Sequence, residues 1–95
     1  MTRSTRAVLA IFLTDPAREF YGLELRAATG LSNGTLYPRL ATLEAYGWLE
    51  SRWEDPEPGR PPRRYYRITR EGTERAREAR PVRPALRLRP RAQGA

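Results

Sequence analysis

The sequence predicts a mainly α domain with a small antiparallel β-hairpin, and three observations carry that prediction. Apolar residues recur at helical spacing through the first half of the chain, the period switches to alternation after Gly47, and a run with four prolines then separates two β-forming stretches. At 95 residues there is room for one domain and little more.

The first helix follows a polar start in which Thr2, Ser4 or Thr5 can act as the cap. Its apolar positions Val8, Leu9, Ile11, Phe12 and Leu13 cover more than one stripe, so it has to be covered by its own domain or by a partner. Asp15-Pro16 ends it. The apolar run Ala7 to Leu13 is too short for a bilayer, which takes about 20 such residues, and no small-residue cleavage site follows it. No membrane partner is expected.

Phe20 to Gly30 reads as a second, short helix, with Leu23 and Ala27, and Leu25 and Ala28, at helical spacing and Gly30 suited to the left-handed closing residue. Ser32 can cap a third helix running to about Tyr46, whose buried stripe is Leu36, Leu40 and Leu43. Pro38 inside this stretch removes a backbone donor, which costs about 3 kcal/mol in a helix interior. Either the helix starts late enough to put Pro38 in its first turn, or it kinks there.

After Gly47, Leu49, Ser51 and Trp53 point one way and Glu50, Arg52 and Glu54 the other. Asp55 to Arg63, with Pro56, Pro58, Gly59, Pro61 and Pro62, is a loop, and Tyr65 to Ile68 is the second strand of a two-stranded hairpin. Trp48, Trp53, Tyr66 and Ile68 are assigned to packing. Thr69 caps a last helix, Arg70 to Arg80, supported by a Glu71 and Arg75 pair at i, i+4, and Pro81 and Pro84 stop it. Residues 1–80 are therefore expected to fold, and 81–95 to form a flexible basic tail rich in Arg and Pro.

Composition narrows the chemistry. The chain has no His, no Cys and no Lys. Zinc sites, nucleophilic triads and Schiff-base or P-loop mechanisms therefore lack their residues. No catalytic residue, metal or cofactor is expected, and the protein is read as no enzyme. A cysteine-free chain fits a reducing compartment, so the expected address is the cytoplasm. The net charge of +7 is uneven: residues 1–79 hold 13 Arg against 11 acids, whereas the last 16 residues hold 5 Arg and no acid. Such a surplus points to an anionic partner, nucleic acid first.

Helix, helix, short turn, helix and hairpin is the order of a winged helix-turn-helix, in which the third helix enters the major groove of double-stranded DNA and the hairpin loop reaches phosphates or the minor groove alongside. Off the Leu36, Leu40, Leu43 stripe lie Asn33, Thr35, Pro38, Arg39 and Thr42, with Tyr37 on the margin. Asn and Arg can pair bidentately with adenine and guanine edges. Ser32 and Thr35 suit phosphate near the helix N-terminus.

The segments Tyr21-Gly22-Leu23-Glu24-Leu25, Gly34-Thr35-Leu36-Tyr37-Pro38, Leu43-Glu44 with Gly47-Trp48-Leu49, Trp53-Glu54, Gly59-Arg60 and Tyr65-Tyr66-Arg67-Ile68-Thr69-Arg70-Glu71-Gly72 occur in that order. Together they resemble the PadR family of bacterial transcriptional regulators, over about residues 7 to 79. The resemblance implies a winged-helix repressor that binds a palindromic operator as a homodimer and is often relieved by a small molecule. Carried onto this chain, Asn33, Thr35, Tyr37 and Arg39 are the reading positions, with Ser32 beside them, and Arg60, Arg63 and Arg64 are the wing contacts.

The chain departs from the family at its C-terminus, where the family's long dimerisation helix is cut short at Pro81. Dimerisation is then expected through exposed apolar positions of the first helix, among Val8, Leu9, Ile11 and Phe12. The same shortening leaves a small-molecule effector without support, since the family's drug pockets lie largely between first and last helices. Arg83, Arg87 and Arg89 in the tail can add phosphate contacts. Pro58-Gly59-Arg60-Pro61 looks like the centre of an AT-hook, against the simpler reading of a solvated loop. The competing function is a winged-helix adapter that binds the transcription machinery and holds nucleic acid without sequence preference. RNA binding ranks last, because the aromatics it needs as stacking platforms read as buried.

Overall fold

The computed structural model describes residues 1–79. Its elements are α1 (Arg3–Leu13), β1 (Phe20–Tyr21), α2 (Gly22–Thr29), α3 (Asn33–Ala45), β2 (Leu49–Trp53), β3 (Arg64–Ile68) and α4 (Arg70–Ala79). This is the mainly α, winged helix-turn-helix arrangement that the residue pattern predicts.

α1 starts at Thr2, whose Oγ1 accepts the Thr5 amide at 3.1 Å and so satisfies one of the helix's free donors. Val8, Leu9 and Phe12 are buried in the domain's own core, with Ile11 and Leu13 packed partly against it. The first-helix dimer face expected from these residues is thus consumed inside the monomer, because α1 lies against both α2 and α3.

Phe20 and Tyr21 form a strand and do not begin a helix. They pair antiparallel with Tyr66 and Tyr65, which turns the expected two-stranded hairpin into a three-stranded sheet ordered β1, β3, β2. Two residues are too few to show a period of two, and the strand exists because Phe20 packs edge-to-face on Phe12 at 5.4 Å. α2 then buries Gly22 and Leu25, while Leu23 is left 61% exposed. Gly30 closes the helix at φ 74° and donates its N–H to Arg26 O at 2.8 Å.

α3 begins at Asn33 and runs through Pro38, which therefore lies beyond the first turn. Ser32 caps it with its backbone carbonyl, which accepts from the amides of Thr35 and Leu36, and not with its side chain. Leu36, Leu40 and Leu43 are all buried, as their spacing predicts. Burial of each such side chain stabilises the fold by about 1.5–3 kcal/mol.

β2 pairs with β3 from Leu49 opposite Ile68 to Trp53 opposite Arg64. Leu49, Tyr66 and Ile68 reach the core, but Trp53 is 62% exposed, against the packing role expected for it. The alternation is right and the face is right; the ribbon has simply run past the helices that cover its start. Trp48 packs partly against the core.

Thr69 joins the last helix to the turn after α3: its Oγ1 donates to Gly47 O at 2.7 Å and accepts the Gly72 amide at 2.9 Å. Gly72 sits against the Trp48 backbone so closely that a Cβ there would overlap it. Only Gly72 and Ala76 of α4 are buried, and its ion pair joins Arg70 to Glu74 at 3.5 Å in place of the expected Glu71 and Arg75. Among the described residues no helix is long and apolar enough to cross a membrane.

Candidate nucleic-acid interface

The two flanks of α3 are braced by different neighbours. On one flank Arg39, half-buried, donates from Nε to Ser4 Oγ at 2.9 Å and ties α3 to the start of α1. On the other flank Glu44 accepts from Arg64 at 3.2 Å and from Ser51 Oγ at 2.7 Å, tying α3 to the wing strands. Between these flanks the helix turns Ser32, Asn33, Gly34, Tyr37, Pro38, Ala41 and Thr42 to solvent, with Thr35 half-buried at its N-terminal end.

Tyr37 occupies both roles that its sequence position allowed. Its ring is 43% exposed, and its hydroxyl rests on Gly22 at the start of α2, where any Cβ would overlap it. This explains the glycine after Tyr21. Tyr21, Gly22, Tyr37, Trp53, Arg63 and Arg64 are among the residues lining a groove of about 410 Å³ between the helix pair and the wing. Tyr21 and Trp53 were not recognisable as part of it, since one read as helix and the other as core.

The wing is ordered by its own acid. Pro58-Gly59 makes a tight turn, with Gly59 at φ 84° and Glu57 bridging back to Arg60. Glu54 accepts from Arg60 Nη1 and, at 3.0 Å, from the Arg63 amide, while Arg60 Nη2 reaches Glu57 at 3.3 Å. The Arg60 guanidinium holds the Glu54 carboxyl below the ordinary carboxylate range; desolvation opposes this and the Arg63 N–H reinforces it. Arg60 is thus folded back between two acids, the opposite of the extended arginine that the AT-hook reading requires.

Arg64 is also engaged internally. Its Nε and Nη2 donate to Ser51 Oγ at 3.1 and 2.9 Å, and its guanidinium lies 5.5 Å from the Trp53 ring centre and 5.6 Å from that of Tyr66. Arg63 differs: its side chain stacks 4.4 Å over the Tyr21 ring and forms no ion pair with a carboxylate among the described residues. Elsewhere Arg52 is held by Glu19 at 2.7 and 2.8 Å, and Arg67 by Glu50 directly across the strands. Much of the body's positive charge is therefore neutralised in place. Arg83, Arg87 and Arg89 lie outside the described residues.

A family model described as the transcriptional regulator PadR-like family matches residues 12–78. The chain belongs to this family. PadR-like proteins are transcriptional regulators and not enzymes, and DNA-binding regulation of transcription is the class to which the chain is assigned. Solved PadR structures agree. A PadR family regulator from Eggerthella lenta DSM 2243 is 31% identical, with a TM-score of 0.64 over 79% of this chain and 70% of that one. A PadR-like transcription factor from Bacteroides fragilis is 26% identical, with a TM-score of 0.67 over 80% and 78%. A PadR regulator from Clostridium difficile R20291, at 21% identity, shares the fold with a TM-score of 0.70 over 81% of this chain and 82% of that one. No curated protein matches the chain in sequence.

Proposed function

We propose that the chain is a sequence-specific repressor. In this reading residues 33–46 enter the major groove of double-stranded DNA, the wing 55–64 grips the adjacent backbone, and a homodimer covers an inverted repeat. The observation that carries it is the groove that Tyr37 of α3 shares with Arg63 of the wing, so that a duplex lying along the exposed side of α3 at Tyr37 also meets the wing. Ser32, Asn33, Thr35 and Tyr37 are the DNA-facing residues of the helix and Arg63 that of the wing. Arg39, Arg60 and Arg64 support the interface through their partners on α1, in the wing and on α3. Tail residues Arg83, Arg87 and Arg89 add phosphate contacts. No effector is assigned.

One observation favours a second reading. Val8, Leu9 and Phe12 are buried within the monomer, and α4 carries no apolar side chain larger than Ala76 and Ala79, so the first and last helices offer little apolar surface for a second copy. A monomeric adapter that binds the transcription machinery would not need one. Selection of bound sequences from random duplexes at two salt concentrations separates the readings. An inverted repeat with half-sites about one helical turn apart supports the dimeric repressor. Recovery of no motif, with affinity collapsing as salt rises, supports the adapter.

A further inference from the structure

α3 carries one arginine and no lysine, and that arginine, Arg39, is turned to α1 and bonded to Ser4 at 2.9 Å. Arg64, the cation nearest the other flank, is bonded to Glu44 and Ser51. Guanine is read in the major groove chiefly by a bidentate Arg or Lys on O6 and N7. Neither arginine is free for that contact without giving up the bond that braces the helix. What α3 turns outward is the Asn33 amide at its first residue, the Tyr37 ring and the methylene or methyl surfaces of Pro38, Ala41 and Thr42. An amide pairs bidentately with adenine N6 and N7, and small apolar groups fit against the thymine methyl.

Resting on the proposed sequence-specific reading, we propose that the operator half-site is read through adenine and thymine, with Asn33 on an adenine and Pro38 and Ala41 on thymine methyls, and with no arginine to guanine contact from α3. Arg39 then ties the flank of α3 to Ser4 without touching a base, and since the shared core of Val8, Phe12, Leu36 and Leu40 also holds α3 on α1, its removal leaves base preference unaltered.

The test replaces single bases in a duplex recovered by selection and measures affinity of the full chain. Uracil for thymine removes only the methyl and is expected to weaken binding about threefold at each contacted position. Replacement of adenine by 7-deazaadenine at the Asn33 position is expected to cost about tenfold, and Asn33→Ala to abolish that difference. Replacement of any half-site guanine by 7-deazaguanine, and Arg39→Ala, are expected to leave the preferred sequence unchanged. A loss of about tenfold on 7-deazaguanine substitution, or a guanine preference that disappears in Arg39→Ala, overturns the inference while leaving sequence-specific binding intact. Recovery of no motif at all overturns the underlying reading and the inference with it.

Discussion

Arg64 Nη2 lies 3.2 Å from Glu44 Oε1, and the same guanidinium donates to Ser51 Oγ, so one side chain joins α3 to both strands of the wing. The pair is partly exposed, at 39% and 33%, which limits its worth to stability to about 1 kcal/mol or less. Its larger consequence is geometric, because it joins the two parts that meet DNA together in the proposed reading. Glu44→Gln and Arg64→Gln are expected each to weaken DNA binding severalfold, with the double variant no weaker than the worse single. Additive losses in that cycle would show that the pair does not act as a unit.

Arg63 and Arg64 should separate in salt. Arg63 stacks on Tyr21 without a carboxylate partner, so Arg63→Gln is expected to lower the slope of log affinity against log salt by about 0.9 for each protomer. Arg64→Gln is expected to reduce affinity at an unchanged slope. Equal changes in slope would place both side chains on phosphate.

The two buried glycines predict different failures. A Cβ at Gly72 meets the Trp48 backbone, which cannot move aside, so Gly72→Ala is expected to destabilise the domain by about 1–3 kcal/mol in thermal or urea unfolding. A Cβ at Gly22 meets the Tyr37 hydroxyl, the far end of a side chain that can swing outward. Gly22→Ala is expected to unfold nearly as wild type and to bind DNA more weakly. A wild-type affinity for Gly22→Ala would remove Tyr37 from the interface.

The order of the wing should depend on pH in one direction only. Arg60 holds the Glu54 carboxyl below its ordinary range. The folded pKa therefore lies below the unfolded one, and the stabilisation is complete above about pH 4.3 and lost as pH falls through the lower folded value. Trp53 fluorescence in a Trp48→Phe background is expected to stay constant from pH 8 to about pH 5 and to change only below about pH 4. A transition near neutral pH would mean that Glu54 does not hold the turn.

The helices were legible because their signals are local. Leu36, Leu40 and Leu43 recur at helical spacing, Gly30 supplies the closing residue, and Pro56 to Pro62 exclude any regular element. β1 was not, since a two-residue strand such as Phe20–Tyr21 is made by its partner β3 and by Phe12 beneath it. Trp53 misled for a related reason: alternation gives the face of a strand but not how far the helices extend beneath it. The site was half legible. That α3 and the wing are the proposed interface follows from element order and the family motifs, but which arginines are engaged within the domain does not. Arg39 meets Ser4 from 35 positions away and Arg64 meets Glu44 from 20, and pairings at that distance leave no local trace.

In the proposed function the outward side of α3 reads base sequence. The most direct measurement compares binding of wild type, Asn33→Ala and Arg39→Ala to a selected duplex and to a scrambled duplex of the same length, at one salt concentration. Wild type and Arg39→Ala should prefer the selected duplex by the same large factor, and Asn33→Ala should lose about tenfold of that preference while binding the scrambled duplex normally. Equal binding of wild type to both duplexes would contradict the claim.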